Sequence, residues 1–212
     1  MKKSIKKEEI KSYFNEILPN ASCELNYSKD YELLIAVMLS AQTTDKKVNE
    51  VTDKLFKNYP TLESFDKASK EELFEFIKPI GLANNKVLAL KDIVHKLIYD
   101  FNGKVPNNKT DLLKMKGVGV KVTNVCLIEL FKIPEFPVDT HCFRVAKRLN
   151  IADLNDDITK TEAKLRSFFD EKDYIKLHHQ FIHFGRYICK AQNPNCKECK
   201  IQKYCVYDGK LK

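Results

Sequence analysis

Four cysteines crowd a short stretch near the carboxyl end of this 212-residue chain, in the spacing Cys-x6-Cys-x2-Cys-x5-Cys. They are Cys189, Cys196, Cys199 and Cys205. Four thiolates on such short loops can close on one tetrahedral zinc ion or on one [4Fe-4S] cluster. Zinc sites of four cysteines usually use two Cys-x2-Cys knuckles, and this chain has one, so the spacing favours the cluster. The segment must therefore fold back on itself around that group.

The chain carries an excess of positive charge, because 37 Lys and Arg residues against 29 Asp and Glu give a net charge of +8. This balance slightly favours a polyanionic partner over a basic surface without a partner. The longest apolar stretch, residues 33–39, is far shorter than the ~20 residues of a membrane-spanning helix. The charged amino end contains no apolar signal segment. We therefore expect no membrane partner and a cytoplasmic location, with nucleoid association in a prokaryote.

Apolar residues recur at helical spacing along nearly the whole chain, as at Val48, Val51 and Leu55. Residues 31–41 are apolar nearly all round, which indicates a central buried helix, although periodicity alone also allows a buried strand. Only 6 glycines and 7 prolines are present, which disfavours a β-rich fold with many tight turns. The sequence predicts an all-α protein of about nine or ten helices.

Capping patterns predict where several helices begin. Ser69 and Thr159 each stand three residues before a glutamate, the spacing of a capping box. Thr110 is a candidate cap for the short helix that precedes the first of two closely spaced glycines. A composition break follows Phe131, where two prolines interrupt the helical pattern, and a second lobe is expected to begin there.

The two closely spaced glycines form the turn Gly117-Val118-Gly119 between two helical segments. Glycine permits positive φ angles and lets the backbone approach a partner closely. The helix that follows begins with free N–H groups, which suit a phosphate. The pattern therefore predicts a helix-hairpin-helix that holds a DNA backbone without reading sequence. An isolated turn of this kind is better explained by an ordinary helix-helix turn that needs glycine.

Two residues are candidates for chemistry. Lys121 enters the second helix of the hairpin, where a helix N-terminus disfavours a positive charge and so favours a neutral, nucleophilic amine. The alternative is a solvated lysine that pairs with phosphate. Asp139 either caps the next helix or stabilises positive charge at a sugar C1′ as a base departs, accepting a proton from an attacking amine. Arg144 and Lys147 either face phosphate or lie on an amphipathic surface.

In combination, these motifs resemble the endonuclease III family of base excision repair glycosylases, in the helix-hairpin-helix superfamily. The resemblance runs over nearly the whole chain, from residues 32–42 to the cysteine tail. Its further motifs are Ile80-Gly81-Leu82, residues 117–121, Val138-Asp139-Thr140-His141 and Phe184-Gly185-Arg186.

The resemblance implies an all-α, two-lobed helix-hairpin-helix glycosylase fold with a carboxyl-terminal iron-sulfur cluster loop. Residues 22–132 are expected to form a helical barrel domain with the hairpin, and residues 1–21 plus 133–212 the cluster domain. The four cysteines would hold a [4Fe-4S] cluster. The implied partner is double-stranded DNA with damaged bases or abasic sites, and we expect a monomer. Lys116 departs from the family pattern, which often has proline at this place, so we expect altered hairpin rigidity and intact chemistry.

The implied activity is removal of oxidised pyrimidines from duplex DNA, followed by strand cleavage through β-elimination. Lys121 matches the nucleophile that forms a Schiff base, and Asp139 matches the catalytic carboxylate. Gln42 and Leu82 match residues that fill the space left when the damaged nucleotide turns out. The other predicted DNA contacts are Gly117, Val118, Gly119, His141, Arg144 and Lys147.

Two other functions compete with this interpretation. A monofunctional mismatch glycosylase would share the hairpin, the aspartate and the cluster, but such enzymes generally lack lysine at the position of Lys121. A metal-stabilised DNA-binding protein without catalysis would use Lys121 only to contact phosphate. Lys121 therefore counts against the mismatch glycosylase, and the pairing of Lys121 with Asp139 counts against the non-catalytic protein.

Overall fold

The structure is a computed structural model that describes residues 2–211 of the chain. Within these residues there are α-helices, short 3-10 segments and one π-helical turn, and no β-strand, which confirms the all-α prediction. The α-helices of this range are more numerous than expected, because two of them are very short. They are α1 (Lys2–Ile17), α2 (Asp30–Leu39), α3 (Asp45–Asn58), α4 (Leu62–Lys67), α5 (Lys70–Ile77), α6 (Ala83–Tyr99), α7 (Lys109–Leu112), α8 (Val120–Phe131), α9 (Thr140–Arg148), α10 (Ile158–Phe168) and α11 (Tyr174–His183).

The described residues divide into two compact units. One unit, Glu24–Ile133, contains α2 to α8 and is called the hairpin unit below. The other, called the cysteine unit, combines the described residues up to Cys23 with those from Pro134 onward. No helix in residues 2–211 has both the length and the apolar character needed to cross a membrane.

The hairpin unit is built around α2, whose residues from Tyr31 to Leu39 are all buried. Helices α3, α6 and α8 pack against it. A helix without a polar face must be covered on all sides, and α2 meets this requirement as a central element. The prediction of a buried central helix is thus confirmed for residues 31–39, and the strand alternative was wrong. The predicted end at residue 41 was wrong, because α2 ends at Leu39 and Ala41 is exposed.

The cysteine unit has an aromatic core that joins its two stretches of chain. Phe14 of α1 is fully buried, and its ring centroid lies 5.2 Å from that of Phe181 and 4.9 Å from that of Phe184. Aromatic pairs at this separation add to the stabilisation from burial alone. The amino-terminal helix is therefore part of the core that supports α11 and the cysteine tail.

The observed helix caps confirm one prediction and correct two. Ser69 caps α5 through a capping box, as its spacing predicts. Helix α10 is capped by Asp157 and not by Thr159, and α7 is capped by Asn108 and not by Thr110. Each of these caps lies two residues before the predicted one. Asp157 accepts a hydrogen bond from the backbone N–H of Lys160 at 2.7 Å, and Asn108 accepts one from that of Asp111 at 2.9 Å. Asp and Asn are strong N-caps, and their earlier position starts each helix sooner.

Candidate active site

The first glycine of the hairpin is required by packing within the hairpin unit. Gly117 has φ +77°, and a Cβ atom built on it would lie 2.8 Å from the Cβ of Ala89 and 3.3 Å from the Cγ of Met38. Any side chain here would be strained in conformation and would clash with a neighbour. The side chain of Val118 is also buried, so only its backbone is available to a partner. These contacts seat the hairpin turn against α2 and α6.

The second glycine has a different surrounding. A Cβ atom on Gly119 would meet nothing within 4 Å, so packing does not explain this glycine. Gly119 is the N-cap of α8 and provides no side-chain hydrogen bond to the first turn. The start of α8 therefore combines uncapped N–H groups with open space, which suits an anionic group.

The hairpin is anchored to α6 by a carboxylate that sequence analysis missed. The backbone N–H of Lys116 donates to Asp92 Oδ2 at 2.7 Å, and Lys96 forms an ion pair with the same carboxylate at 2.9 Å. Burial opposes ionisation, but these hydrogen bonds and the positive charge of Lys96 leave the pKa of Asp92 below its ordinary value. A proline at position 116 would have no N–H to donate. The bond to Asp92 is thus specific to a chain with a non-proline residue at this place.

Lys121 is exposed at the second residue of α8. Its amine forms no hydrogen bond or ion pair with the described part of the chain. What distinguishes Lys121 is its place beside the uncapped start of α8, where its exposed amine is accessible to a substrate. The geometry is compatible with nucleophilic attack and with phosphate contact alike.

Gln42 and Leu82 share an unusual backbone conformation. Their φ angles are +57° and +61°, in the left-handed region that costs about 1–3 kcal/mol for a non-glycine residue. Both side chains are exposed, and Leu82 is 53% exposed. The two turns are neighbours, because a Cβ atom on Gly81 would lie 3.8 Å from the backbone oxygen of Gln42. Core packing does not explain an exposed leucine on a strained turn, so this pair is a candidate contact surface.

Asp139 belongs to the cysteine unit and is the N-cap of α9. Its Oδ1 atom accepts a hydrogen bond from the backbone N–H of Cys142 at 2.7 Å. The carboxylate is half-buried. The capping role considered from the sequence is therefore present, and a catalytic role would have to be fulfilled in addition to it.

His141 and Arg144 are engaged within the cysteine unit. A Cβ atom on Gly185 would lie 2.9 Å from that of His141, so glycine allows α9 to pack directly on the π-helical turn Phe184–Ile188. Arg144 donates to the carbonyl oxygens of Gly185 at 2.6 Å and Cys189 at 3.2 Å. Burial lowers the pKa of His141, which favours its neutral form. Arg144 thus connects α9 to the start of the cysteine tail, and His141 packs against the π-helical turn. The DNA contacts predicted for both residues stay predictions.

Lys147 likewise has partners inside its own unit. Its ammonium donates to the carbonyl oxygen of Leu154 at 2.7 Å and lies 4.0 Å from the centre of the Phe143 ring. These contacts favour the interpretation of Lys147 as an amphipathic surface residue, and its DNA contact stays a prediction.

The four cysteines of the tail line one shared cavity, together with Arg148 and Tyr207. Within residues 2–211, no three His, Cys, Asp or Glu side chains converge as ligands of a single metal ion. Burial raises the pKa of the Cys199 thiol to about 11, an effect that its neighbouring cysteines increase. The Cys199 thiol therefore needs a strong positive charge nearby to ionise at neutral pH.

Arg148 organises the cysteine loop and was not singled out from the sequence. Its guanidinium donates to Cys189 Sγ at 3.4 Å, to the carbonyl oxygen of Lys190 at 2.7 Å and to that of Ala191 at 3.1 Å. The backbone N–H of Tyr207 donates to Cys205 Sγ at 3.5 Å. Arg148 lies four residues after Arg144, on the same face of α9, and this spacing is the signal that could have identified Arg148 from the sequence.

Comparison with known proteins decides the family. The model of the HhH-GPD superfamily of base excision DNA repair proteins matches residues 35–171. The chain is 42% identical to endonuclease III of Bacillus subtilis, over 90% of this chain and 87% of that protein. It is 43% identical to endonuclease III of Rickettsia prowazekii, over 92% of this chain and 91% of that protein. This chain belongs to the endonuclease III family.

The fold comparison agrees with this membership. A solved structure of a trapped endonuclease III-DNA covalent intermediate superimposes with a TM-score of 0.90 at 39% identity, covering 94% of this chain and 95% of that one. As a member of the endonuclease III family, the protein is a DNA-binding base excision repair enzyme with DNA glycosylase and AP lyase activities. The bifunctional activity predicted from the sequence is confirmed.

Proposed function

We propose that this enzyme removes oxidised pyrimidines from duplex DNA and uses Lys121 as the nucleophile for both of its activities. The observation that carries the assignment is the exposed amine of Lys121, without a partner in the described residues and next to the uncapped start of α8. A phosphate of the bound strand can accept hydrogen bonds from the free N–H groups at the start of α8. Such binding would place the adjoining sugar beside the amine of Lys121.

The proposed reaction proceeds in two stages. The neutral amine of Lys121 attacks C1′, the N-glycosidic bond breaks, and the base departs with the bonding electrons and takes up a proton. The sugar ring opens to an imine that joins C1′ to Lys121. Loss of a proton from C2′ then expels the 3′ phosphate by β-elimination, and hydrolysis of the imine releases Lys121.

Asp139 is assigned two roles in this reaction: it stabilises positive charge on the sugar and accepts the proton shed by the attacking amine. One carboxylate oxygen is committed to the N–H of Cys142. A cap of this kind holds the side chain in a single orientation, which supports the use of the other oxygen for proton transfer.

Gln42 and Leu82 are proposed to occupy the duplex after the damaged nucleotide has turned out of the stack. Their exposed side chains on adjacent, strained turns support this role. Extrusion is least costly for a damaged or mispaired base, so the DNA itself contributes to selectivity.

The cysteine tail is proposed to hold a [4Fe-4S] cluster. Cys189, Cys196, Cys199 and Cys205 supply the four sulfur ligands that such a cluster requires, and they line one cavity. The N–H donors to Cys189 and Cys205 support bound thiolates at this place. When bound, the cluster would supply four iron-thiolate bonds that cross-link the loop. Arg148 and Arg144 would hold that loop against α9.

Metal analysis tests the proposed cluster. Protein purified without oxygen is expected to contain about four iron and four sulfide per chain, the content of one [4Fe-4S] group. Ser in place of Cys199 is expected to lower the iron content strongly, because a thiolate ligand is lost. Ser in place of Cys126, a buried cysteine of α8, provides the matched control and should leave iron unchanged. One zinc per chain without iron or sulfide would exclude the cluster.

Single-turnover excision from a panel of duplexes tests the proposed substrate class. We expect an oxidised, ring-saturated thymine to be released at least about tenfold faster than an undamaged adenine opposite a mismatched purine, a difference of ~1.4 kcal/mol in barrier. The duplexes should differ only at the lesion pair. Faster release of the mispaired adenine would instead identify a mismatch glycosylase.

A further inference from the structure

Lys86 is a buried cation in the first turns of α6, with 4% of its surface exposed. Its ammonium donates to the carbonyl oxygen of Ala41 at 2.8 Å and to Thr43 Oγ1 at 3.2 Å. Among the described residues no carboxylate pairs with it, and burial lowers the pKa of Lys86. Burying a cation against neutral oxygens costs free energy, so the stability of the core does not by itself explain a lysine at this position. The location of its hydrogen bonds indicates the role of Lys86.

The bonds of Lys86 connect two strained turns of the hairpin unit, those of Gln42 and Leu82. Ala41 directly precedes Gln42, so the side chain of Lys86 holds the turn that carries Gln42. The backbone N–H of Lys86 donates to the carbonyl oxygen of Leu82 at 3.0 Å, at the start of α6. One residue is therefore bonded to both turns, through its side chain on one side and its backbone on the other.

We propose that Lys86 is a positioning residue that fixes Gln42 and Leu82 relative to each other, so that both enter the duplex as one rigid unit. This proposal rests on the assignment of Gln42 and Leu82 as the residues that occupy the extruded nucleotide's place. Lys86 touches neither substrate nor reacting atoms in this account.

The physical consequence is confined to the extrusion step. Left-handed turns of non-glycine residues persist only where the surrounding structure restrains them, and the ammonium of Lys86 supplies such a restraint. Without it, the turn of Gln42 can relax, and binding energy must be used to order it during extrusion. A substrate with no base to extrude avoids most of this cost.

The same helix offers a matched control for this lysine. Lys91 also bonds to backbone carbonyl oxygens, those of Asp66 at 2.6 Å and Ala68 at 3.0 Å, at the junction of α4 and α5. Methionine in place of Lys86 or Lys91 keeps most of the side-chain volume and removes the hydrogen bonds. The two variants therefore lose similar bonds at different places on α6.

The experiment compares two substrates under single-turnover conditions, on full-length protein whose folding is verified by thermal unfolding. Lys86→Met is expected to slow excision of an oxidised thymine in paired duplex by about tenfold or more, and cleavage at a preformed abasic site by less than about threefold. Lys91→Met should change both rates equally and by less than about threefold. Lys86→Arg, which keeps the donors, should recover most of the excision rate. If Lys86→Met does not fold, Thr43→Val removes a single acceptor and should show the same selective loss in a weaker form.

Three outcomes would contradict the positioning role of Lys86 or distinguish its failure from that of the space-filling assignment of Gln42 and Leu82. Equal losses on both substrates, or a Lys86→Met profile that matches Lys91→Met, would reduce Lys86 to a stabilising residue. If Gln42→Ala and Leu82→Ala slow excision but Lys86→Met does not, the positioning role fails and the space-filling assignment survives. If Gln42→Ala and Leu82→Ala leave excision unchanged, the assignment of these two residues fails first.

Discussion

Lys121→Gln is expected to abolish the covalent adduct that borohydride traps between the enzyme and abasic-site DNA. Glutamine has a similar length but no amine, so no imine can form for the hydride to reduce. Strand cleavage should fall by roughly a thousandfold or more, as is typical when a covalent nucleophile is removed. Because Lys121 is exposed and makes no internal hydrogen bond in the described residues, the variant should fold normally.

Lys116→Gln is the matched control for this experiment. Lys116 lies in the same hairpin with an exposed side chain, and its anchoring bond to Asp92 uses only the backbone N–H. The substitution removes the same charge and should leave trapping intact, with at most a modest loss of DNA affinity through phosphate contact. Undiminished trapping by Lys121→Gln, or no trapping by the wild-type enzyme, would remove the proposed lysine mechanism.

Asp139→Asn is expected to slow base excision by roughly a hundredfold to ten-thousandfold, the usual contribution of general acid-base groups. Asparagine caps a helix as well as aspartate does, so α9 should keep its start and the protein its fold. Affinity for a duplex that carries an uncleavable abasic-site analogue should stay close to that of the wild type. Parallel single-turnover rates and binding isotherms measure the two effects.

The matched control is Asp157→Asn, which alters an N-cap of the same geometry in the same unit. Asp157 and Asp139 each accept a backbone N–H at 2.7 Å from the residue three positions on. The Asp157 variant should therefore report what the loss of a capping carboxylate does on its own. If the two variants behave alike, or if Asp139→Asn changes only affinity, Asp139 is a structural cap and another group must accept the proton.

Local sequence patterns predicted those elements whose cause is local. The capping box at Ser69 and the apolar circumference of α2 are properties of consecutive residues, and both predictions are confirmed. The same kind of pattern was misleading at Thr159 and Thr110, where an Asp or Asn two residues earlier forms the cap. Competition between neighbouring caps depends on backbone geometry that spacing alone does not specify.

The residues that sequence analysis missed act over long separations in the chain. Lys86 is bonded to Ala41, the Lys116 backbone to Asp92, and Arg148 to the cysteine loop. Each bond joins elements that only the packing of helices brings within hydrogen-bond distance. No periodicity or motif spacing contains that information.

The amino-acid sequence alone determined the helical class, the glycine turn that leads into Lys121, and the grouping of four cysteines, because each is set by residue type and short-range spacing. Tertiary structure decided why Gly117 must be glycine, which turns carry strain, and which buried cation restrains them. Those properties arise where distant helices pack together, since a steric clash or a buried charge exists only once its neighbours are in place.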